Sequence, residues 1–161
     1  MKLSIEQFPA AVRPILRYFH IDFSPRTPPA WKSVGYATLV AVVGSLVADW
    51  ILVKIGVAFY PKEAGYQHFQ FADYSKLTVV GVLIACAGWP IVARISSQAT
   101  WLFLRLAVLV SLVLLLPDLA IWFLGQPADA VFVLVWMHIA IAIVTYLALI
   151  TLAPVRSRRQ H

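Results

Sequence analysis

Three residues of this chain place a carboxyl or imidazole group inside long apolar runs: Asp49, Asp118 and His138. A charged side chain near mid-bilayer costs at least about 2.5–3.5 kcal/mol, so such groups usually turn inward, pair with one another and mark function. An imidazole between two carboxylates can share a proton, hold a small ligand or ion, or act as a polar staple between helices. The residue types alone leave these readings open. One histidine and two carboxylates are a thin ligand set for zinc, which usually takes three or four protein ligands, so no metal site is expected. No nucleophile–base pair, glycine-rich phosphate loop or haem-attachment motif accompanies them. Hence no catalytic residue and no cofactor is expected, and the reading leans away from an enzyme.

Helical spacing decides which neighbours join these groups. Thr38, Val42, Ser45, Asp49 and Gly56 fall on one stripe. Ser111, Leu115, Asp118 and Trp122 make a second, and His138 shares a face with Ala142, Thr145 and Leu149. Ser45, Ser111 and Thr145 therefore join Asp49, Asp118 and His138 as candidate ligand- or proton-binding residues. Small residues let helix backbones approach closely in a membrane, which makes Gly44, Ala48, Gly81, Ala85 and Gly88 candidate packing positions. Pro117 directly precedes Asp118. It removes a backbone hydrogen bond, bends the helix and frees the carbonyl of Val113.

The elements that must hold these residues are set by composition. Hydrophobic residues make up 61% of the 161 and charged residues 12%, with mean hydropathy +0.83. Soluble domains average about 45–50% and about 25%. A hydrocarbon core of about 30 Å needs about 20 apolar residues in a helix. Runs at about 34–59, 77–93, 101–124 and 130–152 meet that length. The expected fold class is an all-α membrane protein, with four transmembrane helices in an antiparallel bundle over residues 31–154. Asp49 lies about 22 Å into the first span at 1.5 Å per residue, whereas Lys54 is near enough to its end to snorkel.

Residues 1–30 form an N-terminal interfacial and linker segment. Leu3, Ile5, Phe8, Val12, Ile15, Leu16 and Phe19 recur at helical spacing with Arg13 and Arg17 between them, as in a short helix at the membrane interface. Pro9 and Pro14 divide it into two pieces, and Ser24–Pro29 reads as an extended linker. No cleavable signal peptide is expected, so the first span would act as its own insertion signal. Residues 61–76 are the one long loop, crowded with Tyr66, Phe69, Phe71 and Tyr74. They suit an aromatic belt or a lid over the bundle mouth. Pro90 is expected to kink or stop the second span near its end.

The net charge of +6 sits on residues flanking the apolar runs and on a basic tail at 155–161. That pattern answers to lipid head groups and topology and excludes nucleic acid as a partner. Both termini are expected on the cytoplasmic side. This brings Asp49, Asp118 and His138 to the outer half of the bilayer. The lone Cys86 permits no intramolecular disulfide and reads as a buried inert thiol.

The order Trp101 … Ser111-Leu112 … Leu116-Pro117 … Trp136-Met137-His138 resembles a family of small four-helix bacterial membrane proteins of uncharacterised function. The resemblance is best over residues 101–152. It implies four spans in a bacterial inner membrane and marks Pro117, Met137 and His138 as matching positions, but carries no chemistry. The expected function is a non-enzymatic accessory subunit in the lipid bilayer that self-associates as a homo-oligomer or docks on other membrane subunits. The alternative is a binder or transporter of a small molecule, ion or proton, using the Asp/His cluster as an outer-half pocket.

Overall fold

A computed structural model describes residues 5–23 and 27–155. Four long helices carry the architecture: α2 (Trp31–Phe59), α3 (Phe71–Ile95), α4 (Ala99–Phe123) and α5 (Ala128–Leu152), after a short α1 (Arg13–Tyr18). Each long helix is apolar enough and long enough to cross a membrane. Among the described residues no strand forms.

α5 is the central element, packing most extensively on α2 and next on α4. Two close approaches set its register on α2. A Cβ added at Gly44 would meet Val144 Cγ1 at 2.9 Å, and one at Gly56 would meet Val133 Cγ2 at 2.7 Å. Residue numbers thus rise along α2 as they fall along α5 at their shared seam. α4 is the peripheral helix. Its buried residues are confined to Ala99, Leu102 and Phe103 at one end and Asp118 near the other. Between them only a narrow half-buried stripe through Ala107, Ser111 and Leu115 turns inward.

The core has two parts. Near the chain termini, Ala37, Ala41, Val82, Trp89, Phe103 and Leu149 pack together. Trp89 is fully buried and satisfies its indole N–H by donating to the carbonyl of Ala153 at 2.8 Å. At the other end, Val53, Phe69, Tyr74, Val133, Leu134 and Met137 form the second cluster.

Several expectations need correction. The loop is shorter than 61–76, because α3 begins at Phe71; 3-10 turns at Pro61–Glu63 and Gln67–Phe69 fill the remainder. Asp73 lies in the first turn of α3, where a carboxylate favours the helix dipole, so a charge read as loop is helix. Pro90 does not stop that helix, which continues to Ile95. Pro117 lies inside α4, as its place in the run at about 101–124 implies. Gly81 and Gly88 have nothing within 4 Å of an added Cβ among the described residues, so neither glycine marks a close approach between helices there. The inward face of α3 is instead Tyr74, Thr78, Val82, Cys86 and Trp89. Ala48 and Ala85 are half-buried.

The N-terminal segment has a 3-10 turn at Ile5–Gln7 and then α1, where Pro14 occupies the first turn and so helps start the helix. It docks on the turn between α3 and α4. The amides of Asp22 and Phe23 donate to the carbonyl of Ile95, and the amide of Ser97 donates to that of His20. Non-glycine residues His20 and Phe23 hold positive φ angles of 51° and 50° to make this turn. Tyr18, Phe19 and His20 meet the ring of Trp101, whose face carries the Arg105 guanidinium at 3.8 Å. Ser24, Pro25 and Arg26 of the expected linker lie outside the described residues, as do Leu3 of the expected interfacial helix and tail residues 156–161.

Candidate functional site

Asp49 projects from the inward stripe of α2 and is fully buried. Thr78, on the inward stripe of α3, donates its hydroxyl to Asp49 Oδ2 at 2.7 Å. The other carboxylate oxygen, Oδ1, is buried without a hydrogen-bond partner. Asp118 sits one residue past Pro117 and is the one buried position in the second half of α4. Its Oδ2 lies 3.1 Å from His138 Nδ1. The same nitrogen is 3.0 Å from the carbonyl of Leu134, and its N–H points there rather than at the carboxylate. The Asp118–His138 contact is thus close in distance but poorly aligned as a hydrogen bond.

Asp118 and His138 are brought together, then, while Asp49 takes Thr78 as its bonded partner. Levels along the helices nevertheless align. From the Gly44–Val144 contact, Asp49 is five residues along α2 and His138 six residues back along α5, about 7.5 and 9 Å at 1.5 Å per residue. The two side chains lie within electrostatic reach of each other. Asp118, His138, Asp49 and Thr78 therefore form a polar layer to which all four long helices contribute.

Ser45 lies about one turn from Asp49 on α2, and Thr145 lies seven residues, about two turns, from His138 on α5. Ser45 and Thr145 are buried, and neither hydroxyl has a hydrogen-bond partner. Ser111 is half-buried and joins no bond to the layer. Asp129 is exposed in the first turn of α5, where its charge suits the helix dipole. Cys86 is a buried free thiol. Among the described residues no group of three or more His, Cys, Asp or Glu side chains is placed to hold a metal ion.

Two residues were missed by sequence reasoning. Thr78 is one; its stripe with Val82 and Cys86 was present, but Gly81, Ala85 and Gly88 directed attention to a neighbouring face. Tyr66 is the other. Its hydroxyl is buried without a partner, and its ring meets His68 and Phe69 edge-on at 5.3 Å. His68 Nδ1 lies 2.6 Å from Asp73 Oδ2, tying this loop to the first turn of α3. Burial, with Asp118 and Glu63 adding to it, pushes the Tyr66 phenol above its ordinary 10.0. No sequence pattern announces such a residue, because a belt tyrosine and a tyrosine turned inward look the same.

A separate apolar groove of about 380 Å³ opens between α2 and α5, lined by residues such as Leu52, Gly56, Phe132 and Trp136. No ionisable member of the polar layer lines it.

Residues 25–154 match DUF6069, a family of unknown function. The chain belongs to that family. The match spans all four long helices and every residue of the polar layer. No curated protein and no solved structure matches the chain.

Proposed function

We propose that this DUF6069 member is a multi-pass protein of a bacterial cytoplasmic membrane that binds, and passes or senses, a small polar solute, ion or proton in its Asp49–Asp118–His138 layer. Its helices run antiparallel with both termini on the cytoplasmic side, and the layer is reached from the outer face past Tyr66. The basic residues before α2, at the α3–α4 turn and after α5 support that orientation. One observation carries the binding reading. Four polar atoms of the layer and its neighbours (Ser45 Oγ, Asp49 Oδ1, Asp118 Oδ2 and Thr145 Oγ1) are buried with no hydrogen-bond partner. A purely structural staple satisfies the groups it buries, because each one left unmet costs about 1–3 kcal/mol.

The test compares Asp118→Asn and His138→Ala with the wild-type chain in detergent, melting each with a panel of inorganic cations, primary amines and small carboxylates. Folded, monodisperse variants that lose a ligand-induced melting shift shown by the wild type support a site. Loss of folded protein in both variants, with no wild-type shift from any compound, supports a staple.

A second reading, an accessory subunit that self-associates or docks on a larger membrane complex, is favoured by the outward face of α3. Gly81 and Gly88 there have open space, whereas Gly44 and Gly56 of α2 come close to a neighbouring helix. If native-membrane crosslinking through this face finds no partner, and the purified chain is a monomer, that reading falls.

A further inference from the structure

The loop between α2 and α3 is built in two halves. Its first 3-10 turn, Pro61–Glu63, packs on α2, and its second, Gln67–Phe69, packs on α3. Tyr66 is the extended residue that enters the second turn, at φ −63° and ψ 129°, and Gly65 before it stands in open space. Phe69 is buried and anchors the second half, while His68 is fastened to Asp73 at 2.6 Å by side chains that stay partly exposed. The Tyr66 ring rests edge-on against His68 and Phe69 and packs on the cluster that holds Val133, Leu134 and Met137. That cluster also takes Ile121, one turn beyond Asp118, and the carbonyl of Leu134 receives the His138 N–H. Asp118 lies within electrostatic reach of the phenol. Tyr66 thus covers the loop end of the polar layer, on the side where Asp118 and His138 meet.

A tyrosine turned inward ordinarily finds a partner for its hydroxyl. The Tyr66 hydroxyl is buried and has none. Its position therefore carries a cost that an outward swing into water would relieve. The contacts that hold it in place lie in the loop: the two neighbouring rings and the His68–Asp73 pair, which is exposed enough to be of modest strength.

We infer that Tyr66 is a gate over the polar layer and that the His68–Asp73 pair is the latch that keeps it closed. The inference rests on the binding reading above and names how that site is opened. Rotation of the phenol outward puts its hydroxyl in water and uncovers Asp118 and His138, while both 3-10 turns stay fastened to their helices. The unmet hydroxyl favours the open state and the latch favours the closed one, so a change at either shifts the open population.

The experiment places a reporter thiol beneath the ring, Asp118→Cys in one series and Leu134→Cys in another. Each is made in the full chain with Cys86→Ala and studied in detergent at one pH. A charged, water-soluble methanethiosulfonate is the probe, and its labelling rate follows the open population when opening and closing are fast. Tyr66→Phe keeps the cover and removes the unmet hydroxyl, so labelling is expected to slow about threefold or more. His68→Phe keeps a ring against Tyr66 and removes the bond to Asp73, so labelling is expected to quicken about threefold or more. Tyr66→Ala removes the cover and quickens it about tenfold or more. The Leu134→Cys series retains Asp118 and His138 and serves where Asp118→Cys does not fold. Native Cys86, buried in the cluster near the chain termini, is labelled in parallel in chains without a reporter. The gate is overturned if Tyr66→Phe and His68→Phe both label as the parent does. It is equally overturned if Cys86 quickens by the same factor as the reporter, because the fold has then loosened as a whole. Labelling needs no ligand, so the two readings fail separately. A ligand-induced melting shift in a chain whose labelling ignores these variants leaves the binding reading standing and removes only the gate.

Discussion

His138 holds Nδ1 3.1 Å from Asp118 Oδ2 while offering its N–H to the carbonyl of Leu134 at 3.0 Å. A carbonyl only accepts, so this bond requires the proton on Nδ1, and Asp118 faces the flank of that same N–H. The arrangement leaves Nε2 as the nitrogen whose protonation can change with little loss of structure. It also ties the peripheral α4 to the central α5.

The coupling across that pair is measurable. A double-mutant cycle with Asp118→Asn and His138→Ala, followed by unfolding in mixed micelles, is expected to give a coupling of about 1 kcal/mol, within the range of polar contacts between membrane helices. A coupling indistinguishable from zero would mean the 3.1 Å approach is not energetically felt.

Thr78 has a different role, as the bonded donor to Asp49. Thr78→Val keeps the shape and removes the donor. It is expected to destabilise the bundle by about 1–3 kcal/mol, whereas Thr78→Ser, which keeps the hydroxyl, costs less. Equal losses in the two variants would assign the effect to packing.

The glycines separate into two classes. Gly44→Ala and Gly56→Ala force a methyl against Val144 and Val133, with an expected cost of about 1–3 kcal/mol. Gly81→Ala and Gly88→Ala meet open space and are expected to be neutral or stabilising by up to about 1 kcal/mol through helix propensity. Unfolding of the monomeric chain checks both classes. A loss at Gly81 or Gly88 only in oligomers would support self-association through α3.

Tyr66 gives a pH dependence at the alkaline end. Its folded pKa lies above the unfolded 10.0, chiefly because burial disfavours the phenolate. Stability from this group is therefore fully present below pH 10.0 and is lost as pH rises through the higher folded value. Tyr66→Phe is expected to flatten that alkaline decline. Titration of tyrosine absorbance should show one late-ionising group fewer in the variant than in the wild type.

Membrane character was legible in the sequence because hydrocarbon demands long apolar helices whatever their neighbours are. Run length alone therefore located α2, α4 and α5 to within about three residues. It misjudged the start of α3, where Asp73 and Lys76 read as loop, because charge near a helix end signals polarity and not backbone conformation. The inward stripe of α2 was legible in part, since Ser45 and Asp49 cannot face lipid cheaply; Thr38 and Val42 are only half-buried, and Ala37 and Ala41 take the inward line there.

What only tertiary structure decided was partnership. A polar side chain in oil must find something, but its sequence does not name the helix opposite. Asp49 of α2 meets Thr78 of α3 and Asp118 of α4 meets His138 of α5, while α2 comes closest to α5 at Gly44 and Gly56 and no described atom stands within 4 Å of a Cβ at Gly81 or Gly88. A glycine marks where another helix can come close; which helix does so is fixed by the packing of all of them together.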